Sequence, residues 1–362
     1  MKILITGGHS SPAISIIESL HNKNIVYVGR EFLLDKKTEK TLEYKEILRK
    51  KIKFINLNTG KLNRELSFKS IIDFFNIPIG FINAYKIIKN EKPDIVLSFG
   101  SYIAIPICII AWLKKIPVYI HEQTIEPGLT NRLLSKISKK IFISFPQSLK
   151  FFPTNKTLLT GNPIKQSILN PKKIMNIKKI RPVIFITGGS LGSHSINLII
   201  KDIAIDLLKK YMVIIQTGSA DKFNDFNVLN NIKNRLPNNI QQNFYIFKSL
   251  SSDEISYLYS ISDLVISRAG ANTTFELIYL KKPCILIPLP WSVKNEQEKH
   301  AQLITNAHAG EIFYQNQTSN ILLKIIDKIL NNLSEYKNNF NNLYYLIKTN
   351  ASQKIIETIF SN

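Results

Sequence analysis

Two stretches decide the fold: Val183-Ile184-Phe185-Ile186-Thr187-Gly188-Gly189-Ser190-Leu191-Gly192-Ser193, and its echo near the start of the chain, Lys2-Ile3-Leu4-Ile5-Thr6-Gly7-Gly8-His9. Each runs from a continuous, β-branched apolar segment into a glycine turn. A segment of helical apolar spacing follows each turn, AISIIESL in the first copy and SINLIIKDIAIDLL in the second. Strand, glycine turn and helix start make the opening unit of a nucleotide-binding fold. The glycines let backbone approach a ligand closely, and the helix N-terminus behind them favours an anion. Two such openings half a chain apart predict two similar domains.

Outward from these copies, short apolar runs alternate with amphipathic ones. In the first half they are residues 2–6, 25–29, 53–57, 94–98, 118–121 and 141–144; in the second, 183–187, 212–216, 244–247, 264–267, 284–288 and 311–314. Nearly unbroken apolar strands between helical patterns indicate parallel sheets covered on both faces, so the class is α/β, doubly wound. The expected division is residues 1–161 and 162–344, with the basic, irregular stretch 171–181 leading into the second domain. The tail 338–360 reads as helical, with Leu343, Leu346, Ile347, Ile355, Ile356 and Ile359 as its apolar set. Its end, residues 345–362, is expected to pack back on the first domain.

At 362 residues and 44% hydrophobic, the chain can bury two cores. It holds two cysteines, Cys108 and Cys284, both in apolar runs; neither a disulfide framework nor a cysteine metal cluster is expected. MKILIT enters a strand at once, so no signal peptide is expected. The longest apolar run, Tyr102 to Leu113, falls short of the ~20 residues a bilayer span needs. The net charge of +22 suits phosphorylated ligands or anionic lipid surfaces, and AT-rich coding is its bland source. No nucleic-acid-binding motif accompanies it, so nucleic acid is not an expected partner.

The loop Gly188–Ser193 offers backbone N–H groups and hydroxyls for a diphosphate, and no Walker lysine follows. The first turn lacks the G-x-G-x-x-G spacing, which weakens a dehydrogenase reading. A third loop, Ser267-Arg268-Ala269-Gly270-Ala271-Asn272-Thr273-Thr274-Phe275-Glu276, leads from a strand into a helix. Glu276, one turn in, fits two roles equally: an acceptor for vicinal ribose hydroxyls, or an acid complementing the helix dipole. His9 sits on a glycine turn at a strand end, where ligands bind in such folds. His121-Glu122-Gln123 is the next candidate, with buried groups orienting a loop as the alternative. His21 and His308 read as surface residues. No Asp-x-Asp and no His or Cys cluster is present, so neither metal nor cofactor is expected. Phe68 to Phe81 is rich in large apolar residues, among them Phe74, Phe75, Ile79 and Phe81, and lies near Lys69, Lys86, Lys89 and Lys92. An apolar patch rimmed by lysines suits an anionic bilayer surface, and a core helix is the other reading.

Taken in order, these motifs resemble the MurG family of peptidoglycan N-acetylglucosaminyltransferases. The resemblance rests on Thr6-Gly7-Gly8-His9 with Pro12-Ala13, Ser98-Phe99-Gly100-Ser101-Tyr102, His121-Glu122-Gln123, and Pro127-Gly128-Leu129-Thr130-Asn131-Arg132. Gly161-Asn162-Pro163-Ile164, Gly188-Gly189-Ser190 with Gly192, and Arg268 through Glu276 complete it. It implies a GT-B fold, two Rossmann-like domains whose parallel sheets face a cleft. It also implies inverting transfer of GlcNAc from UDP-GlcNAc to the 4-hydroxyl of undecaprenyl-pyrophosphoryl-MurNAc-pentapeptide, by a peripheral protein at the cytoplasmic face of the membrane. The alternatives are another GT-B UDP-sugar enzyme, a glycolipid glycosyltransferase or a UDP-sugar epimerase, and a non-catalytic basic binding protein, against which the glycine loops speak. Carried over, the donor contacts are Thr6, Gly7, Gly8, Thr124, Lys165, Ser190, Leu250, Ala271, Asn272, Thr273, Thr274, Phe275, Glu276 and Gln297. Glu276 holds the ribose, His9 is the candidate base, and Glu122 is its rival. The sequence departs from the family pattern in a shortened first loop and at several positions: Thr124 for asparagine, Lys165 for arginine, Leu191 for glutamine, and Pro290-Trp291-Ser292 before Gln297.

Overall fold

The computed structural model describes residues 1–20, 24–32, 40–60, 68–348 and 350–361; His21 lies outside them. The chain divides into two compact units, Met1–Lys165 with Lys348–Asn362, and Gln166–Ile347. The junction falls at Lys165, so Gly161 to Lys165 all lie in the first unit.

The first unit is one parallel sheet of seven strands: β1 (Lys2–Thr6), β2 (Asn24–Gly29), β3 (Lys53–Asn56), β4 (Ile95–Ser98), β5 (Val118–Glu122), β6 (Lys140–Ile143) and β7 (Thr157–Leu159). They lie in the order β3-β2-β1-β4-β5-β6-β7. Side chains alternate across the strands with a period of two. Leu4, Val28, Val96, Ile120 and Ile143 therefore meet Ala84, Ile88, Ile107 and Ala111 on one face. Ile3, Ile5, Tyr27, Leu97 and Phe142 meet Ile14, Ile17, Ile355 and Ile359 on the other.

The second unit is a parallel sheet of six: β8 (Val183–Thr187), β9 (Met212–Gln216), β10 (Phe244–Phe247), β11 (Leu264–Ser267), β12 (Cys284–Leu286) and β13 (Gly310–Ile312), ordered β10-β9-β8-β11-β12-β13. Its core packs Ile184, Ile186, Val213, Ile215 and Ile266 on Ile196, Ile200, Ile203 and Leu207. In each sheet the strand order reverses beside the first strand, between β1 and β4 and between β8 and β11. Ligands bind at such reversals in doubly wound sheets, outside the carboxyl ends of the strands. Both echoed glycine turns stand there.

Two features differ from expectation. Strand β7 was not foreseen: it is three residues long, pairs only with β6, and is too short to show a period. The tail is not one helix but the helix Leu333–Asn339, a 3-10 turn Phe340–Leu346 and the helix Ala351–Phe360. The last helix sends Ile355 and Ile359 into the first unit's core. The longest helix, Phe68–Glu91, runs through Pro78. Among the described residues, no helix is long and apolar enough to cross a membrane. Cys108 and Cys284 are buried free thiols, and burial pushes Cys108 up to about 12.

Candidate active site

In the first unit three loops interlock at the carboxyl ends of β1, β4 and β5. Gly7 is buried in the left-handed half of backbone space (φ 144°), and a Cβ there would stand 2.9 Å from the Phe99 backbone. Only glycine lets the turn after β1 lie against the turn after β4. Gly8 and His9 are exposed beyond it. The His9 Nδ1 lies 2.9 Å from the Phe99 carbonyl oxygen. A carbonyl only accepts, so Nδ1 carries the proton and the neutral ring keeps its lone pair on Nε2. Thr6 is fully buried and its hydroxyl has no partner, so its side chain braces the turn from below and presents no surface.

Glu122 ends β5 and is buried, with a carboxylate that is fully engaged. Its Oε1 accepts from the Thr124 backbone N–H (2.9 Å) and hydroxyl (2.8 Å), and its Oε2 from Asn131 Nδ2 (3.0 Å). Asn131 also donates to the His121 carbonyl at 3.0 Å and packs under Gly100. Thr124 is itself buried, its hydroxyl 2.8 Å from the Glu126 carbonyl. Burial, partly offset by a backbone hydrogen bond at Gly161, pulls His121 down to about 3, so its ring is neutral. Lys165 lies 3.6 Å from Glu46 within the same unit.

In the second unit the loop after β8 packs on the turn after β9. A Cβ at Gly192 would stand 2.0 Å from the Thr217 carbonyl oxygen, so this glycine serves a close backbone approach. Ser190 is exposed at the tip, and its carbonyl accepts from Ser219 N–H at 3.0 Å. Arg268 ties the neighbouring loops together. Its Nη2 donates to Ser193 Oγ (2.6 Å), Ser195 Oγ (2.7 Å) and Gln315 Oε1 (3.1 Å), and its Nη1 to the carbonyls of Ile287 (3.1 Å) and Pro288 (3.3 Å). Burial draws the guanidinium down to about 10. Gln297 fixes the same loop from the other side, its Oε1 accepting from Leu289 N–H at 3.0 Å. The buried His300 Nδ1 lies 3.2 Å from the Ala269 carbonyl, and burial pulls it down to about 4.

The helix Ala271–Tyr279 starts behind Gly270, which provides no side-chain cap and faces open space where a Cβ would be. A helix N-terminus that follows a strand in this way favours an anion. The helical period splits the expected donor set. Ala271, Thr274 and Phe275 are buried, while Asn272, Thr273 and Glu276 are only partly covered and share one face. Tyr259 lies beneath: burial first, then the Glu276 charge, push its phenol well above the usual range. Leu250 is half-buried in the loop before the capping box of Ser251 and Glu254.

On the helix Phe68–Glu91, Phe75 (69% exposed), Ile79 and Ile82 follow helical spacing on an exposed stripe, and Tyr85 continues it. Trp112 and Leu113 (62% exposed) extend the stripe from the neighbouring helix Ala104–Leu113. Lys86, Lys89 and Lys92 are exposed, and Lys114 Nζ lies 4.6 Å from the Tyr85 ring centre. Phe81 is half-buried; the side chains of Phe74 and Lys69 lie outside the described residues. Ile82, Tyr85, Trp112 and Leu113 were not foreseen, nor were the pins Arg268 and Asn131.

Residues 6–143 match the glycosyltransferase family 28 N-terminal domain, and residues 183–359 its C-terminal domain. The UDP-N-acetylglucosamine–N-acetylmuramyl-(pentapeptide) pyrophosphoryl-undecaprenol N-acetylglucosamine transferase of Clostridium novyi is 34% identical, over 99% of this chain and 98% of its own. A Bacillus thuringiensis transferase of the same name, numbered 2, is 31% identical over 93% of each chain. Among solved structures, MurG of Acinetobacter baumannii aligns with a TM-score of 0.69 at 21% identity, over 100% of this chain and 99% of that one. The UDP-GlcNAc 2-epimerase of Neisseria meningitidis, bound to UDP-GlcNAc, aligns at 0.68 and 18%, over 100% of both. These two structures share the two-sheet fold.

Proposed function

The chain belongs to glycosyltransferase family 28, and we propose that it catalyses the reaction its full-length relatives are named for. GlcNAc moves from UDP-GlcNAc to the 4-hydroxyl of a lipid-linked, pyrophosphoryl-MurNAc-pentapeptide acceptor. The observation that carries this reading is the 34% identity to such a transferase along 99% of the chain.

The chemistry follows from the loops. The acceptor oxygen attacks the anomeric carbon with inversion, and the bond from that carbon to the β-phosphate oxygen breaks. His9 Nε2, left basic by the Nδ1 contact to Phe99, takes the acceptor's proton. The leaving diphosphate is stabilised by the helix N-terminus behind Gly270 and by the loop Gly188–Ser193. Glu276, with Asn272 and Thr273 beside it, receives the ribose hydroxyls. Glu122, with both oxygens occupied, orients the loop Thr124–Asn131 and is not the base. The lysine-rimmed stripe from Phe75 to Leu113 rests on the anionic inner face of the membrane, where the acceptor's lipid is held.

Calorimetric titration with UDP-GlcNAc, UDP-glucose, UDP-GalNAc and NADH tests donor choice, and transfer of labelled GlcNAc to the lipid-linked acceptor tests the reaction. Tightest binding of UDP-GlcNAc with transfer is expected. Equal affinity for all three sugars, or release of UDP with no labelled lipid, overturns the assignment.

A further inference from the structure

Tyr27 and Glu43 stand beneath the first glycine turn, outside the chemistry assigned so far. Tyr27 is a fully buried residue of β2, and its hydroxyl bonds the carboxyl of Glu43 on the helix Leu42–Arg49. The same hydroxyl lies 3.4 Å from the carbonyl oxygen of Gly7. The carboxyl packs over Gly29, with Cδ 3.2 Å from where a Cβ would stand. The remaining neighbours carry little charge to it. Phe54 of β3 stacks on Tyr27 and meets Tyr44 edge-on. On its own helix Glu46 pairs with Lys165, and before that helix Lys40 sits over the Tyr44 ring and pairs with Glu31. Arg30, past the end of β2, donates to the Tyr102 hydroxyl.

A phenol has one proton to give, and here two acceptors compete for it. When Glu43 is ionised, the carboxylate takes the Tyr27 hydrogen bond and the Gly7 carbonyl has no donor from this side. When Glu43 holds a proton gained from solvent, it donates to the Tyr27 oxygen, and the Tyr27 proton is released toward Gly7. We propose that Tyr27 and Glu43 are a positioning pair for the first glycine turn, setting the Gly7 carbonyl, and through the turn His9, by where the single Tyr27 proton points. Burial pushes the Glu43 carboxyl up to about 7, partly offset by the Tyr27 bond, so the exchange occurs near neutral pH. The inference rests on the reading of His9 as the base.

The test is the pH profile of kcat for the full chain and for Glu43→Gln and Tyr27→Phe. The parent is expected to lose rate on an alkaline limb with a midpoint near 7, about 3- to 10-fold, the value of one hydrogen bond. Glu43→Gln donates to Tyr27 at every pH, so it should lack that limb and exceed the parent above pH 8. Tyr27→Phe should also lack the limb but stay low throughout. An alkaline limb that persists in Glu43→Gln overturns the proposal. So does a carboxyl carbon signal, assigned by its absence in Glu43→Gln, that titrates near the ordinary 4.5. Failure of the underlying reading looks different: His9→Ala would then keep the parent rate whatever the Glu43 profile shows.

Discussion

Replacing Glu122 by alanine separates a loop organiser from a catalytic base, and the structure sets the size of the effect. Three donors point at this buried carboxylate. After truncation the Thr124 hydroxyl still has the Glu126 carbonyl at 2.8 Å, and Asn131 Nδ2 still has the His121 carbonyl at 3.0 Å. Only the Thr124 backbone N–H is stranded. One stranded buried donor costs about 1–3 kcal/mol, and the lost charge-assisted bonds add to it, so Glu122→Ala should lose about 2–4 kcal/mol. Urea unfolding at constant m reads this directly. Glutamine should cost less. Its oxygen can keep Thr124, and the Asn131 Oδ1, buried without a partner, can turn toward the new amide at the expense of the His121 contact. Donor affinity, measured in parallel, should change less than stability. A Glu122→Ala enzyme of unchanged stability whose kcat falls ~10²–10⁴-fold would refute the organiser role and make Glu122 the base.

His9→Ala should lower kcat by about 10²–10⁴-fold with UDP affinity nearly unchanged, and a variant within about threefold of the parent removes His9 from the mechanism. Glu276→Ala should weaken UDP-GlcNAc binding by about 1.5–3 kcal/mol in calorimetry, the value of hydrogen bonds to a charged acceptor; unchanged affinity in a folded variant rules out the ribose role. Phe75→Ser with Ile82→Ser should reduce co-sedimentation with anionic vesicles, and Trp112, the sole tryptophan once Trp291 is made phenylalanine, should shift its emission to the blue on binding. Recovery that is equal with neutral vesicles, and indifferent to these changes, speaks for a solvated surface. Glu43 should make stability depend on pH. Its folded value of about 7 lies above the usual 4.5, so its contribution is complete below 4.5 and is lost as pH rises through 7, about 3 kcal/mol in all. Glu43→Gln should flatten that part of the unfolding free energy, and an unchanged slope between pH 4.5 and 7 would contradict it.

The fold was legible because parallel strands buried on both faces leave unbroken apolar runs, and because two glycine turns repeat the same strand-to-helix opening. Strand β7 escaped because three half-buried residues at a sheet edge carry neither run nor period. The tail was read as one helix because apolar spacing alone does not register a 3-10 turn such as Phe340–Leu346. At the site the difference is one of kind. Sequence says which residues stand on a loop; it does not say what their polar atoms face. Thr6 and Thr124 sit on the right turns, yet both are buried, and Thr124 is spent on Glu122. Ala271 to Glu276 reads as one motif, but the 3.6-residue period leaves only Asn272, Thr273 and Glu276 partly exposed, which the spacing alone could have separated. The apolar stripe shows the same limit. Phe75 and Ile79 predict Ile82 by helical period, whereas Trp112 and Leu113 close an apolar run whose other members are buried or half-buried, and only the fold shows that the helix ends outside the core. Tyr27 is the extreme case. In IVYVG it is a strand residue like its neighbours, and its place under Gly7 follows from the parallel register that sets Tyr27 beside Ile5, two residues short of the turn. The residues that hold a glycine turn in place thus come from neighbouring strands and helices, far away in the chain, and packing brings them to the turn where motif spacing has no means to.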